Sequence, residues 1–152
     1  MTKADDAHRS FISRFTCSAA VFSTFSKELG LDSDTAKKIA CGFGGGISHT
    51  GNMCGAVSGA IMVIGLAYGK TETDDDAATH KTRSLTRRLM NEFARKNGSI
   101  NCTELLGYNL SNPDELARAR DEEIFVTKCP MLVRDATEIV ENILKNEGRV
   151  RT

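Results

Sequence analysis

The chain carries no net charge, no alternating polar and apolar stretch, no Cys-x-x-Cys pair and no membrane-length apolar run. Each absence removes a class of protein. With 20 basic and 20 acidic residues, no overall field draws in nucleic acid or acidic lipid. Arg83, Arg87 and Arg88 follow Asp74, Asp75 and Asp76 closely, which reads as a solvated helix face. Without period-two alternation there is no half-buried strand to build a sheet from. Without a close cysteine pair there is no local zinc or iron–sulfur signature. The glycines form neither a Walker loop nor the G-x-G-x-x-G fingerprint after a strand. No Ser-His-Asp or paired-carboxylate site can be assembled from the spacing, and His8 and His80 lie in polar surroundings.

The start of the chain is polar and lacks an apolar core of signal-peptide length. A cytoplasmic protein with reduced thiols is therefore expected. Five cysteines in that setting point to metal or redox chemistry rather than structural disulfides.

What is present is one long uncharged stretch. No charged side chain occurs between Lys38 and Lys70, although 26% of the chain is charged. Its apolar part, residues 53–68, falls short of the roughly 20 residues that a bilayer span needs. Lengthening it backward takes in Asn52, His49 and three consecutive glycines, which are costly in lipid. We expect a buried central helix here. Gly51, Gly55 and Gly59 give it a small-residue stripe for close contact with another helix, within the chain or across a homodimer.

The rest reads as helices. At 152 residues the chain suits one domain, with residues 1–8 flexible and a core over 11–145. Phe11, Phe15, Phe22, Phe25 and Leu29 share a helical face, with a break available at Thr16 and a stop at Gly30. A second helix runs from the Asp32–Asp34 cap to Ala40 and ends at Gly42. Asn52 would cap the central helix. A longer helix spans about Thr82 to Asn97, with Leu85, Leu89 and Phe93 inside and Gly98 as its stop. Asn101 and Glu104 mark a short helix start. Asn112-Pro113 opens another, and Cys129-Pro130 opens the last, whose apolar face is Leu132, Val133, Ala136, Ile139, Val140 and Ile143. The expected fold is all-α, a single-domain bundle of five to seven helices around a Gly/Ala-rich central helix.

Four cysteines fall at expected helix starts: Cys17 after Thr16, Cys54 after Asn52, Cys102 after Asn101, and Cys129 before Pro130. Free N–H groups and the helix dipole stabilise a thiolate there and lower its pKa from about 8.5. Cys41 falls at a helix end, where the dipole disfavours a thiolate, and is read as standing outside the site. Taken singly, each cysteine reads more readily as a small hydrophobic filler. Gly44, Gly45 and Gly46 suit a loop whose backbone takes positive φ or closes on a neighbour. The loop could cradle an anion or lie against the cysteines. His49 within it could serve as acid, base or ligand.

The residues Phe15-Thr16-Cys17-Ser18-Ala19-Ala20-Val21, Gly42-Phe43-Gly44-Gly45-Gly46, Cys54-Gly55-Ala56-Val57-Ser58-Gly59-Ala60, Cys102 ahead of Glu104-Leu105-Leu106-Gly107, and Cys129 carry a resemblance. Together they resemble the redox-active family named for its C…GCAxxG…C…C pattern, over residues 11 to 145. Met53 and Gly55 flank Cys54 where the family pattern has glycine and alanine. The resemblance implies a small helical redox protein using Cys17, Cys54, Cys102 and Cys129, and it names no substrate. A related domain of a multihaem cytochrome is associated with an iron–sulfur centre.

Three functions remain open at this level. The four cysteines exchange thiols and disulfides with a redox partner protein. Alternatively, they bind an iron–sulfur cluster or another metal, with the backbone of Gly44, Gly45, Gly46 and Gly55 beside the sulfurs. In the third, the chain is a helical interaction module that needs no cysteine. The first two leave open whether the protein is an enzyme of oxidoreductase type.

Overall fold

The computed structural model describes residues 1–150. Among them there is no strand, and eight helices have five or more residues, one more than the upper expectation. The extra element comes from the first apolar segment, which divides into α1 (Lys3–Ile12) and α2 (Cys17–Ser26). The chain breaks at residues 13–16 because the Thr16 hydroxyl caps α2 by accepting from the Ala19 N–H. Phe15, expected on the inner face, falls in that break and is 40% exposed. α1 starts with a Thr2/Asp5 capping box and buries Ala4 and Ala7.

α3 (Ser33–Ala40) is capped by Asp32. A 3₁₀ turn (Cys41–Phe43) and the one-turn element α4 (Gly44–Ile47) then lead through the glycine loop. α5 (Gly55–Tyr68) is the central helix, with all of residues 55–60 buried along with Val63 and Ile64. α6 (Asp76–Asn97) begins six residues earlier than expected, because Asp75 accepts from the Ala78 N–H and caps it. α7 (Cys102–Leu106) is short and α8 (Pro113–Asp121) is capped by Asn112. A single turn, α9 (Ile124–Thr127), precedes α10 (Cys129–Asn146).

α5 sits between α2, α6 and α10, with α1 laid over α10 and α2, and α3 outside α2. Phe25, Ile64, Leu89, Phe93, Val133, Val140 and Ile143 meet in one core. Each such side chain contributes about 1.5–3 kcal/mol through burial. The small-residue stripe serves this packing: a Cβ on Gly59 would lie 2.5 Å from the Ser18 carbonyl oxygen of α2. No described helix is long and apolar enough to cross a membrane.

Candidate functional site

The glycine loop is a left-handed turn. Gly45, Gly46, Ile47, Ser48 and His49 all have φ between 52° and 69°. The Ser48 N–H donates to the Gly44 carbonyl at 2.8 Å, closing one helical turn of the wrong hand for L-residues. Two glycines accept that geometry without cost. Ile47, Ser48 and His49 do not, and such strain persists only where surrounding contacts hold it. Those contacts are visible. Ser48 Oγ donates to the Gly42 carbonyl, Thr50 Oγ1 to the carbonyls of Gly46 and Ile47, and the Asn52 N–H to Gly46.

Three further ties bring distant segments to the loop. Met53 and Asn101 form an isolated antiparallel bridge. Across it the Cys54 N–H donates to the Ile100 carbonyl and the Cys102 N–H to the Asn52 carbonyl, both at 2.7 Å. Thr103 Oγ1 donates to the Gly51 carbonyl at 3.0 Å. Ser18 Oγ, fully buried on α2, donates to the Ala40 carbonyl at the end of α3. The starts of α2, α5 and α7 are thereby held against one loop.

The four sequence-picked cysteines stand at helix starts: Cys17, Cys102 and Cys129 as first residues, Cys54 as the residue before α5. Asn52 does not cap α5; its amide donates to Thr50 and its carbonyl holds Cys102. All four cysteines line one cavity of about 350 Å³. Cys54 and Cys102 are buried, and Cys17 and Cys129 keep part of their surface open. Cys41, expected outside the site, lines the cavity too: the 3₁₀ turn folds the end of α3 back over it, leaving Cys41 exposed at the rim. Helix-end polarity, which set Cys41 aside in the sequence, does not decide position.

Gly44, Gly45, Gly46 and Gly55 lie in the cavity wall. They are glycine because nothing larger fits. A Cβ on Gly55 would stand 2.3 Å from Cys17 Sγ, one on Gly46 2.6 Å from Cys102 Cβ, and one on Gly44 2.8 Å from Thr16 Cβ. His49 folds over Gly45, whose Cβ would meet its ring at 2.2 Å, and stacks at a tilt on Phe125 with ring centroids 6.3 Å apart. Phe11, Leu106, Phe125 and Leu132 complete the wall. Leu132 was expected only as part of a core face, and Phe125 carries no local signal, since its place depends on how α9 meets the loop.

The expectation of lowered thiol pKa values is overturned. Burial raises Cys17, and raises Cys54 well above an ordinary thiol. Burial and then the neighbouring thiols push Cys102 and Cys129 up to about 12. Charge on Cys17 bears on each of the other three, and charge on Cys102 bears on Cys54 and Cys129. Helix-start N–H groups do act, but desolvation by burial outweighs them. Their action is uneven. The N–H groups of Gly45, Ser18, Cys17 and Ala56 oppose the rise at Cys17, and those of Ala56 and Val57 oppose it at Cys54. At Cys102 and Cys129 only raising influences are found. The cavity thus holds protonated thiols of two kinds, and the Ala56 N–H is shared by the two that it favours.

Among the described residues, no group of three or more His, Cys, Asp or Glu side chains is placed to hold a metal ion.

The family model described as "Putative redox-active protein (C_GCAxxG_C_C)" matches residues 15–143. An Archaeoglobus fulgidus protein printed as "Uncharacterized protein" is 29% identical over 143 residues, covering 86% of this chain and 85% of that one. No solved structure matches the chain.

Proposed function

The chain belongs to the redox-active family that the C_GCAxxG_C_C model describes, and on that premise we propose that it carries two electrons on a dithiol formed by Cys17 and Cys54. The observation that carries this reading is the convergence of backbone N–H groups on Cys17, one of which, from Ala56, also serves Cys54. Thiol–disulfide exchange needs a sulfur that can hold negative charge at the moment of attack. Of the four thiols with raised pKa, these two are the ones whose surroundings stabilise it, and Cys17 has the more donors.

In the reduced state both thiols keep their protons, because burial disfavours two thiolates side by side. Oxidation joins the two sulfurs and releases two electrons and two protons. It also removes the repulsion that a charged Cys17 would impose on its neighbours. Cys102 and Cys129, with no N–H groups relieving them, stay protonated during the exchange. A redox partner protein or a small molecule would supply the oxidant.

The test is a thiol count on the native protein equilibrated at oxidising and reducing potentials. The count should fall by two on oxidation in the wild type and should stay constant in Cys17→Ser. Metal analysis and an anaerobic visible spectrum accompany it. A coloured, iron-bearing protein with an unchanging count would replace this reading by the iron–sulfur one. Partner binding that survives loss of every cysteine, with no change in count, would favour the interaction module.

A further inference from the structure

The cavity's wall has a property that the thiols alone do not explain. Of the sixteen residues that line it, none is Asp, Glu, Lys or Arg, in a chain that is 26% charged. Its polar content is thiols, the hydroxyls of Thr16 and Ser48, the His49 ring and peptide groups. Its floor is Cys54, Gly55, Gly46 and Leu106, all buried, and its rim is Cys41, Ser48 and His49, all exposed. At about 350 Å³ it lies at the lower end of the range for small-molecule sites. Phe43 and Ile47, beside the lining residues of the same loop, are 37% and 41% exposed.

Resting on the dithiol reading, we infer that this cavity admits an uncharged, largely apolar organic disulfide as the small-molecule oxidant of the Cys17–Cys54 pair. A charged disulfide would have to lose its hydration with no opposite charge to meet it, which is strongly unfavourable. A disulfide with aromatic or aliphatic arms gains apolar burial against Phe11, Phe125 and Leu132.

The exchange balances within the site. Cys17 Sγ attacks one sulfur of R–S–S–R, the S–S bond breaks, and the proton of Cys17 leaves with the first R–SH. Cys54 Sγ then attacks Cys17 Sγ of the mixed disulfide, and its proton leaves with the second R–SH. Two protein thiols are oxidised and one organic disulfide is reduced.

The experiment compares two disulfide probes on the intact reduced protein. One is 4,4′-dithiodipyridine, neutral at pH 8; the other is 5,5′-dithiobis(2-nitrobenzoate), doubly anionic. Rates for thiols beyond the exposed Cys41 are normalised to the same chain in denaturant, which removes intrinsic reactivity. The neutral probe should react at least about a hundredfold faster after normalisation, as expected for burying an uncompensated charge. Phe125→Lys, which places a cation in the wall, should narrow that ratio at least about tenfold. Equal normalised rates in the wild type would overturn the inference, whatever the variant does.

A second measurement separates this inference from the dithiol reading. The non-reducible isostere 1,2-di(4-pyridyl)ethane should bind the reduced protein, detected by calorimetry, and should slow the neutral probe competitively. If it fails to bind while the thiol count still changes by two with potential, the cavity inference fails and the dithiol stands. If it binds but the neutral disulfide leaves the buried thiols unoxidised, the dithiol reading fails and takes this substrate class with it.

Discussion

Cys17 Sγ lies against the backbone of Gly55, so close that a Cβ there would stand 2.3 Å from the sulfur. A thiol on α2 and the first residue of α5 therefore occupy adjoining space, with the Ala56 N–H one residue further on. The contact explains why the central helix starts with glycine at this position. It also makes that glycine a direct probe of the site.

Gly55→Ala should destabilise the reduced protein by about 1–3 kcal/mol, the usual cost of overpacking. The Cβ would meet Cys17 Sγ and, at 2.9 Å, the Phe43 carbonyl oxygen. Gly65→Ala in the same helix meets nothing within 4 Å, so it should stabilise by up to about 1 kcal/mol through propensity alone. Urea unfolding of both variants gives the comparison. If Gly55→Ala is also stabilising, the sulfur and the helix are not in contact. Combining it with Cys17→Ala should restore part of the loss, since one of the clashing atoms is then gone.

Alkylation by iodoacetamide at pH 8 should separate the five thiols. Cys41, exposed at the rim, should react quickly, and Cys41→Ser should abolish the fast phase. Cys102 and Cys129, held at about 12, should react about a hundredfold slower than an ordinary thiol, after allowing for their greater intrinsic nucleophilicity. Peptide mapping of the fast-labelled site decides it. Early label on Cys102 or Cys129 would contradict the raised values.

The reduced protein should lose stability in alkali before other groups require it. Unfolded thiols ionise near 8.5, whereas folded Cys102 and Cys129 hold their protons to about 12. Unfolding between those limits releases protons, so stability falls as pH rises from about 8.5 toward 12. Each such thiol contributes a slope of roughly 1.4 kcal/mol per pH unit. Cys102→Ser should flatten the slope by one thiol's share in denaturant titrations at stepped pH. A slope that the substitution leaves unchanged would place the effect elsewhere.

Ile47→Gly should raise the melting temperature. Ile47 is β-branched, has φ 67° and is 41% exposed, so glycine relieves left-handed strain of about 1–2 kcal/mol while losing little burial. Part of the gain is offset by the freedom that glycine restores to the unfolded chain. A drop in melting temperature would mean that the isoleucine side chain holds the turn in place.

Much of the chain could be read one segment at a time. The spacing of Leu85, Leu89 and Phe93, and of Leu132, Val133, Ala136, Ile139, Val140 and Ile143, marks faces that are buried in the structure. Asp32, Asn112 and Thr16 cap helices as their side chains suggest. The first segment was harder, because Phe11, Phe15 and Phe22 keep one helical spacing across a break that only the Thr16 cap reveals. Phe125 and Cys41 could not be assigned to the site, since neither has a neighbour in sequence that announces the cavity.

Local sequence was enough to determine that this protein is helical, where most of its helices begin, and that four cysteines stand at those beginnings. Capping and periodicity are short-range effects, settled within a turn or two of chain. What the cysteines are chemically was decided only by tertiary structure. The same N–H groups that lower a thiol's pKa at an exposed helix start are here overruled, because packing α2, α5, α7 and α10 around one uncharged cavity desolvates the thiols. Desolvation and the repulsion between thiols depend on residues up to 112 positions apart, from Cys17 to Cys129. The left-handed glycine turn closes that cavity and aims the Gly45 N–H at Cys17, a choice of backbone hand that Gly45 and Gly46 permit and only their surroundings impose.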